Sequence, residues 1–473
     1  MTAGRVAVVP LALVLGGCLL GPDYARPPVP VPERWQEAVE DVGSLADQGW
    51  WQFFEDPVLV DLIRVAREQN TDVGVAVARV EQARAELVAT AAARFPQLDG
   101  VGSYTYNRLS EVSFPPITNT PGAAPSFNPV GQIYRTTLDL SFELDLWGRI
   151  RRATEAARAE LLASDAARRT VLFTLVSDVA TLYFTLLERD EELAVSRRTV
   201  ETRRESLRIL QLRFREGISP ELDLRRAEGE LAAATNTVPD LERQIRQLEN
   251  ILSVLLGRNP GPIPRGRRLT AYIVPLEVPS GLPSELLERR PDVRQAEQQV
   301  VAANARIGQA KAAFFPRIVL TGAYGVESSD LTRLFTGPAQ VWSVGPALIA
   351  PIFNAGRVQA GVDLAEAQRD EAVAQYRRVV QAAFREVEDA LIAHRKNREE
   401  VIEDQKQVTA YREVVRLTRL RYFSGIGTQF EVLDAERQLL SAELATLRTL
   451  GDQLVALVQL YKALGGGWTS EPN

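Results

Sequence analysis

Cysteine and histidine are almost missing from this chain. One cysteine, Cys18, in 473 residues excludes an intramolecular disulfide and a cysteine-based zinc site. One histidine, His394, excludes histidine-rich metal centres and leaves a hydrolase triad without support. It lies in AHRKNREE and reads as a solvated residue on a polar helical stretch. Positive charge is not in excess: a net charge of −6 argues against nucleic acid as a partner, because phosphate binding needs a basic surface. No apolar run beyond the N-terminus reaches 18 residues without polar interruption, so no transmembrane helix is predicted. There is no glycine-rich nucleotide loop and no metal constellation, so neither a cofactor nor enzyme chemistry is expected.

What is present begins at the N-terminus. Arg5 precedes an apolar run from Val6 to Leu15, and Gly16 and Gly17 lead into Cys18. A run of 10 residues is too short to span a bilayer and reads, with its flanks, as a signal peptide over 1–17. Leu15-Gly16-Gly17-Cys18 resembles a bacterial lipobox, in which the cysteine thiol receives a diacylglyceryl group. That resemblance makes Cys18 a lipid attachment site, and two or more acyl chains anchor a protein stably where one does not.

The chain repeats itself. ARFPQL (93–98) recurs as AFFPRI (313–318) at an offset of 220. From Gly148 onward the offset is 208: FREGISPELDLRRAEGEL (214–231) matches YFSGIGTQFEVLDAERQL (422–439). The drop of 12 places an insertion between Pro96 and Gly148 of the first copy. A constant offset over such a length indicates duplication. The predicted order in each copy is helix, strand, loop, strand, long helix, glycine-marked turn, shorter helix. The strand pairs are 97–107 with 133–147 and 317–327 with 340–354, around loops at 108–132 and 328–339. The long helices run over 148–216 and 356–424, proline-free and about 100 Å each at 1.5 Å per residue. Shorter helices return over 220–256 and 428–464. Helices rich in Ala, Arg, Glu and Leu at this length suit a coiled-coil rod or tube.

The segment TLDLSFELDLW alternates throughout, with Leu138, Leu140, Phe142, Leu144 and Leu146 on one face and Asp139, Ser141, Glu143 and Asp145 on the other. One face of a soluble sheet and a membrane barrel strand both fit this pattern. Tyr104, Tyr106, Tyr134 and Trp342 suit an interfacial girdle. Four strands cannot close a barrel, eight are filled by their own side chains, and twelve from three copies leave a lumen. Its acidic face would favour cations.

The plan resembles the TolC-like outer membrane efflux proteins, in particular the NodT-type lipoprotein branch associated with RND pumps. GPDYARPPVPVPERW (21–35), DPVLVDLIRVAREQNTDV (56–73), LPSELLERRPDVRQAEQQVVAANARIGQAKAAFFPRIVLTG (282–322) and VGPALIAPIFNAGR (344–357) carry the resemblance. It implies a mainly α fold with a membrane β-barrel portion. Long antiparallel coiled-coil helices are duplicated, and four strands per chain join a twelve-stranded barrel in a homotrimer. It implies an anchor segment over 18–56, a first repeat over 57–257, an equatorial linker over 258–283, a second repeat over 284–468 and a tail over 469–473. Pro346 and Pro351 predict an irregular last strand.

The resemblance implies a passive exit duct for drugs or other small amphiphiles, working with a periplasmic adaptor and an inner membrane RND pump. Apart from lipid on Cys18 and the outer membrane itself, no other ligand is implied. Leu19 after the cysteine, rather than the aspartate that retains enteric lipoproteins in the inner membrane, favours outer membrane sorting. The turns Gly217-Ile218-Ser219 and Gly425-Ile426-Gly427 with Thr428 become the periplasmic tips that meet the adaptor. The family's apolar and aspartate rings fall on Phe430 and Asp434, one helical turn apart, and Tyr422 and Glu431 match further constriction positions. Arg226, the first-copy counterpart of Asp434, is the expected partner of that carboxylate. Gly427 stands where some members carry an arginine latch. An adaptor lipoprotein would instead show one helical hairpin within a lipoyl-like domain, and a pore-free coiled-coil lipoprotein would lack duplicated strand pairs.

Overall fold

The computed structural model describes residues 18–36, 50–108, 110, 130–274 and 283–465. The signal peptide, most of the first strand-connecting loop, part of the linker and the tail lie outside the described residues. The elements are α1 (Pro57–Gln69), α2 (Thr71–Ala92), β1 (Gln97–Arg108), β2 (Val130–Leu144), α3 (Arg149–Arg215) and α4 (Glu221–Leu255), then α5 (Pro283–Arg289), α6 (Pro291–Ala312), β3 (Arg317–Ser328), β4 (Gln340–Ile349), α7 (Arg357–Phe423) and α8 (Gln429–Ala463). Both long helices have 67 residues, and both shorter ones 35. Two compact units cut across the sequence repeats: residues 1–27, 81–162 and 298–374 form one, and 28–80, 163–297 and 375–473 the other. The repeat boundaries therefore mark the duplication and not compact bodies.

The first unit holds one antiparallel sheet in the order β1-β2-β3-β4. The duplication is visible in its pairing. Gln97 faces Ser141 in the first hairpin and Arg317 faces Ile349 in the second, the same register once the two offsets are applied. Pro346 sits in the ladder opposite Leu320, so the irregular strand expected there is not found. Within the chain β4 has a neighbour on one side only, and an edge strand accommodates proline. Pro351 falls beyond the strand end.

The corner between β2 and α3 is firmly built. Trp147 stacks on Phe315 with ring centres 4.6 Å apart and donates its indole N–H to the Pro316 carbonyl at 2.8 Å. Asp145 accepts from the backbone N–H groups of Ile150 and Arg151 at 3.1 and 2.8 Å, closing the N-terminus of α3. The segment after Cys18 docks on this corner. Arg152, 2% exposed, donates to the carbonyls of Leu20 and Gly21 at 3.0 and 3.4 Å and pairs with Asp23. Gly21 and Gly308 meet so closely that a Cβ on Gly21 would lie 2.4 Å from the Gly308 Cα.

The second unit is helical. Arg197–Glu242 and Arg203–Glu230 tie α3 to α4, while Arg412–Glu443 and Arg419–Glu436 tie α7 to α8. In each hairpin the sequence separation of the pairs shrinks toward the turn, as antiparallel helices require. The core uses Leu59, Leu62 and Ile63 of α1, Val176, Val179, Ala180, Tyr183 and Leu187 of α3, and Leu454, Leu457 and Tyr461 of α8. Their three- and four-residue spacing is the apolar stripe of a packed helix. One 18-residue window of α3, interrupted by polar residues as the sequence expectation has it, reaches a mean hydropathy of 1.7, apolar enough by length and composition alone to cross a membrane. Half of that window is buried within the protein, so its apolarity serves this core.

Asp56, fully buried, caps α1 through the Val58 N–H at 2.9 Å and accepts hydroxyl bonds from Tyr183 and Tyr272. Burial alone would raise this carboxyl, but the two tyrosines and the helix N–H groups hold it below its ordinary value. Glu188 behaves oppositely. Burial against Gly451 pushes it up to about 7; Arg189 at 3.1 Å and Arg448 lower it less than burial, Glu192 and Asp452 raise it. His394 is 6% exposed and not solvated. It continues the buried stripe of Val387 and Leu391 on α7, so helical phase overrode the polar neighbours in sequence.

Candidate functional site

The two tips lie in the helical unit and are built alike. Gly217 (φ +72°) and Gly425 (φ +79°) end α3 and α7 in the left-handed conformation that glycine tolerates best. The Ile218 N–H returns to the Arg213 carbonyl and the Gly217 N–H to Phe214; Ile426 and Gly425 do the same with Arg421 and Tyr422. These are paired Schellman closures. They leave Ile218 and Ile426 exposed at 68% and 72%. Ser219 is half-buried and leads into Pro220, which precedes α4 without a side-chain cap. Thr428 caps α8 by accepting from the Glu431 N–H at 3.3 Å. A Cβ on Gly427 would lie 3.0 to 3.2 Å from Arg421 and Tyr422, so this tight turn has little room for a larger side chain.

An open cleft of about 530 Å³ lies between the tips. Two arginines of the first repeat cross it to two aromatics of the second. Arg213 donates to the Tyr422 hydroxyl at 2.5 Å, and the Arg226 guanidinium lies 5.2 Å from the centre of the Phe430 ring. Arg226 therefore contacts Phe430, and the expected Arg226–Asp434 pair is not formed. Asp434 is held within its own helix by Arg437 at 2.7 Å and Gln438 at 2.5 Å. The Arg437 hydrogen bond keeps its carboxyl below the ordinary range. Glu431 comes within 4.0 Å of Arg421. Phe430 is 55% exposed. Sequence reasoning missed Arg213, although its repeat counterpart at offset 208 is also an arginine, Arg421.

The sheet carries the second candidate site. Even-numbered positions form an apolar, exposed face: Leu98, Tyr104 and Tyr106 of β1, Leu138 and Leu140 of β2, Leu320 and Tyr324 of β3, and Trp342, Val344 and Leu348 of β4. Asp139 and Ser141 lie on the other face, where Asp99, not anticipated, stands directly opposite Asp139. Glu143 is neutralised by Arg149 at 2.8 Å. Asp145 lies one residue past β2, and as the cap of α3 it is not a strand residue as expected. Cys18 is exposed, one residue before the docked segment.

A sheet with an apolar face and, among the described residues, an unpaired edge at β1 and at β4, in a chain with two long helical hairpins, fits the class of outer membrane channels. Comparison with known proteins agrees. The family model described as outer membrane efflux protein matches residues 62–258 and 282–466. The solvent efflux pump outer membrane protein SrpC of Pseudomonas putida is 38% identical over 470 residues, 98% of each chain. The cation efflux system protein CusC of Escherichia coli O6:H1 is 34% identical over 463 residues, 97% of each. The open-state MtrE outer membrane channel of Neisseria gonorrhoeae superposes with a TM-score of 0.84 at 34% identity, covering 95% of this chain and 98% of that one. This chain belongs to the outer membrane efflux protein family.

Proposed function

We propose that three copies of this chain close one twelve-stranded outer membrane barrel and form the exit duct of a tripartite efflux system. An inner membrane RND pump supplies the energy and a periplasmic adaptor joins pump to duct. The observation that carries this reading is the four-stranded sheet, apolar on one face, polar on the other and unpaired at both β1 and β4. An open strand edge is costly in lipid, and a ring of twelve removes every edge. The two hairpins and the single shared sheet are not what an adaptor or a pore-free coiled coil requires.

Asp99 and Asp139 line the lumen and favour cations there, whereas Glu143 and Asp145 are already compensated. Cys18 carries the lipid, and the Arg152 contacts hold the chain just after it at the β2–α3 corner. The cargo is drugs or other small amphiphiles, selected by the pump; SrpC, named for solvent efflux, fits this class. Exposed Ile218 and Ile426 offer apolar anchors that the adaptor covers. Phe430, Tyr422 and Arg226, with Asp434 and Glu431 beside them, form the gate. Photo-crosslinkers at Ser219 and Thr428 should trap the adaptor in whole cells. Crosslinks confined to residues near the strands would place the docking site elsewhere.

A further inference from the structure

The three-copy barrel needs β4 of one copy to pair with β1 of the next, and the duplication fixes how. In the chain β2 of the first repeat pairs with β3 of the second. Adding 208 to each β2 number and subtracting 220 from each β3 number turns eight of the eleven such pairs into β4–β1 pairs and carries the other three just past the end of β4. Three of these pairs keep their chemistry, while others, such as Arg135 opposite Glu327, which becomes Ser343 opposite Asn107, do not. Leu140 opposite Gly322 becomes Leu348 opposite Gly102, and Leu138 opposite Tyr324 becomes Pro346 opposite Tyr104. Thr137 opposite Gly325 becomes Gly345 opposite Thr105, the same two residue types exchanged. In the intact pair that glycine is needed, because a Cβ on Gly325 would lie 2.1 Å from the Thr136 carbonyl.

We infer that β4 of one copy joins β1 of the next in this register, with Leu348 on Gly102 and Ala347 on Ser103, and that the β4–α7 corner seats on Phe95. The inference rests on the three-copy reading and specifies its interface. A slip of one residue would set the apolar face against the polar one. A slip of two in one direction puts Leu348 against Tyr104, and in the other it sets Leu348 on Gly100 and Gly345 on Ser103, losing both matches that the duplication provides.

At the corner the second copy of the plan departs from the first, and in this register Phe353 stands opposite Gln97, two residues from Phe95. Trp147 covers Phe315 within the chain, and the counterparts of these two residues are Ala355 and Phe95. Phe95 is 68% exposed, and Ala355 has no ring to cover it. Phe353, two residues earlier and 89% exposed, supplies the ring from the neighbouring copy, and Ile352 beside it meets Leu98.

Disulfide trapping tests the register. Ala347→Cys with Ser103→Cys places two thiols on the water-facing side, open to a copper–phenanthroline oxidant. Within one chain β1 and β4 are three strand spacings apart, roughly 14 Å, so any bond between them is between copies. Ala347→Cys paired with Val101→Cys or Thr105→Cys shifts the partner by two. Ala347–Ser103 should give covalent dimers and trimers at least about five-fold more efficiently than either shifted pair. Phe95→Cys with Ala355→Cys, at the corner beyond the strands, is the second variant should the strand thiols impair assembly, and it should crosslink between copies as well. A detergent-solubilised trimer that crosslinks best through a shifted pair, or through none, overturns the register while leaving the three-copy barrel standing. Protein that is not trimeric when sized in detergent overturns both.

Discussion

Removing the Phe430 ring should loosen the closed tip. Within one copy the ring is held by the Arg226 guanidinium at 5.2 Å, at a partly exposed site. A contact of this kind contributes about 0.5–1 kcal/mol. On the proposed gating, opening breaks this contact in all three copies, so Phe430→Ala removes about 1.5–3 kcal/mol from the closed trimer relative to the open one. At about 1.4 kcal/mol per factor of ten, the closed-to-open ratio falls about ten- to a hundred-fold. The assay is the open probability of single trimers in planar bilayers, backed by entry of a large antibiotic such as vancomycin into whole cells. Arg226→Ala should produce the same change, and the double variant should add little to either, because one contact is removed each time. Asp434→Ala should do less, since that carboxylate is engaged by Arg437 and Gln438 of its own helix. An open probability unchanged in Phe430→Ala, or fully additive effects of the two single variants, would refute the reasoning.

Cys18→Ser should abolish incorporation of acyl label and leave unprocessed precursor; label persisting in the variant would move the anchor elsewhere. Glu188 should make stability fall as pH rises. Its folded pKa of about 7 lies above that of the unfolded chain, so the stabilisation is full below about pH 4.5, is lost progressively as pH rises through 7, and is gone above it. Thermal unfolding of Glu188→Gln should lack a pH-dependent loss that reaches about 3 kcal/mol in the parent, and parallel pH profiles for the two would remove Glu188 as the cause.

Much of the fold was legible because it is written twice. The offsets of 208 and 220 located both hairpins, and the paired registers of the strands reproduce them. The glycines at 217 and 425 marked the tips within a residue, since left-handed helix ends favour this residue. Strand ends were less legible. Asp145 continues the alternation of β2 in sequence, yet its carboxylate is drawn to the free N–H groups of α3. The partner of Arg226 was misread because repeat alignment pairs it with Asp434, whereas in space it meets the residue one turn earlier, Phe430. His394 shows the same limit, because burial follows helical phase over many turns and not the polarity of the nearest neighbours. Asp99 opposite Asp139 needed the register of the hairpin, which a single strand pattern does not contain.

Reconstitution of the purified trimer into planar bilayers tests the central claim most directly. The account predicts long-lived single-channel currents that favour cations, small in the parent protein and larger or more frequent in Phe430→Ala. A correctly assembled trimer that passes no current in either form would contradict it.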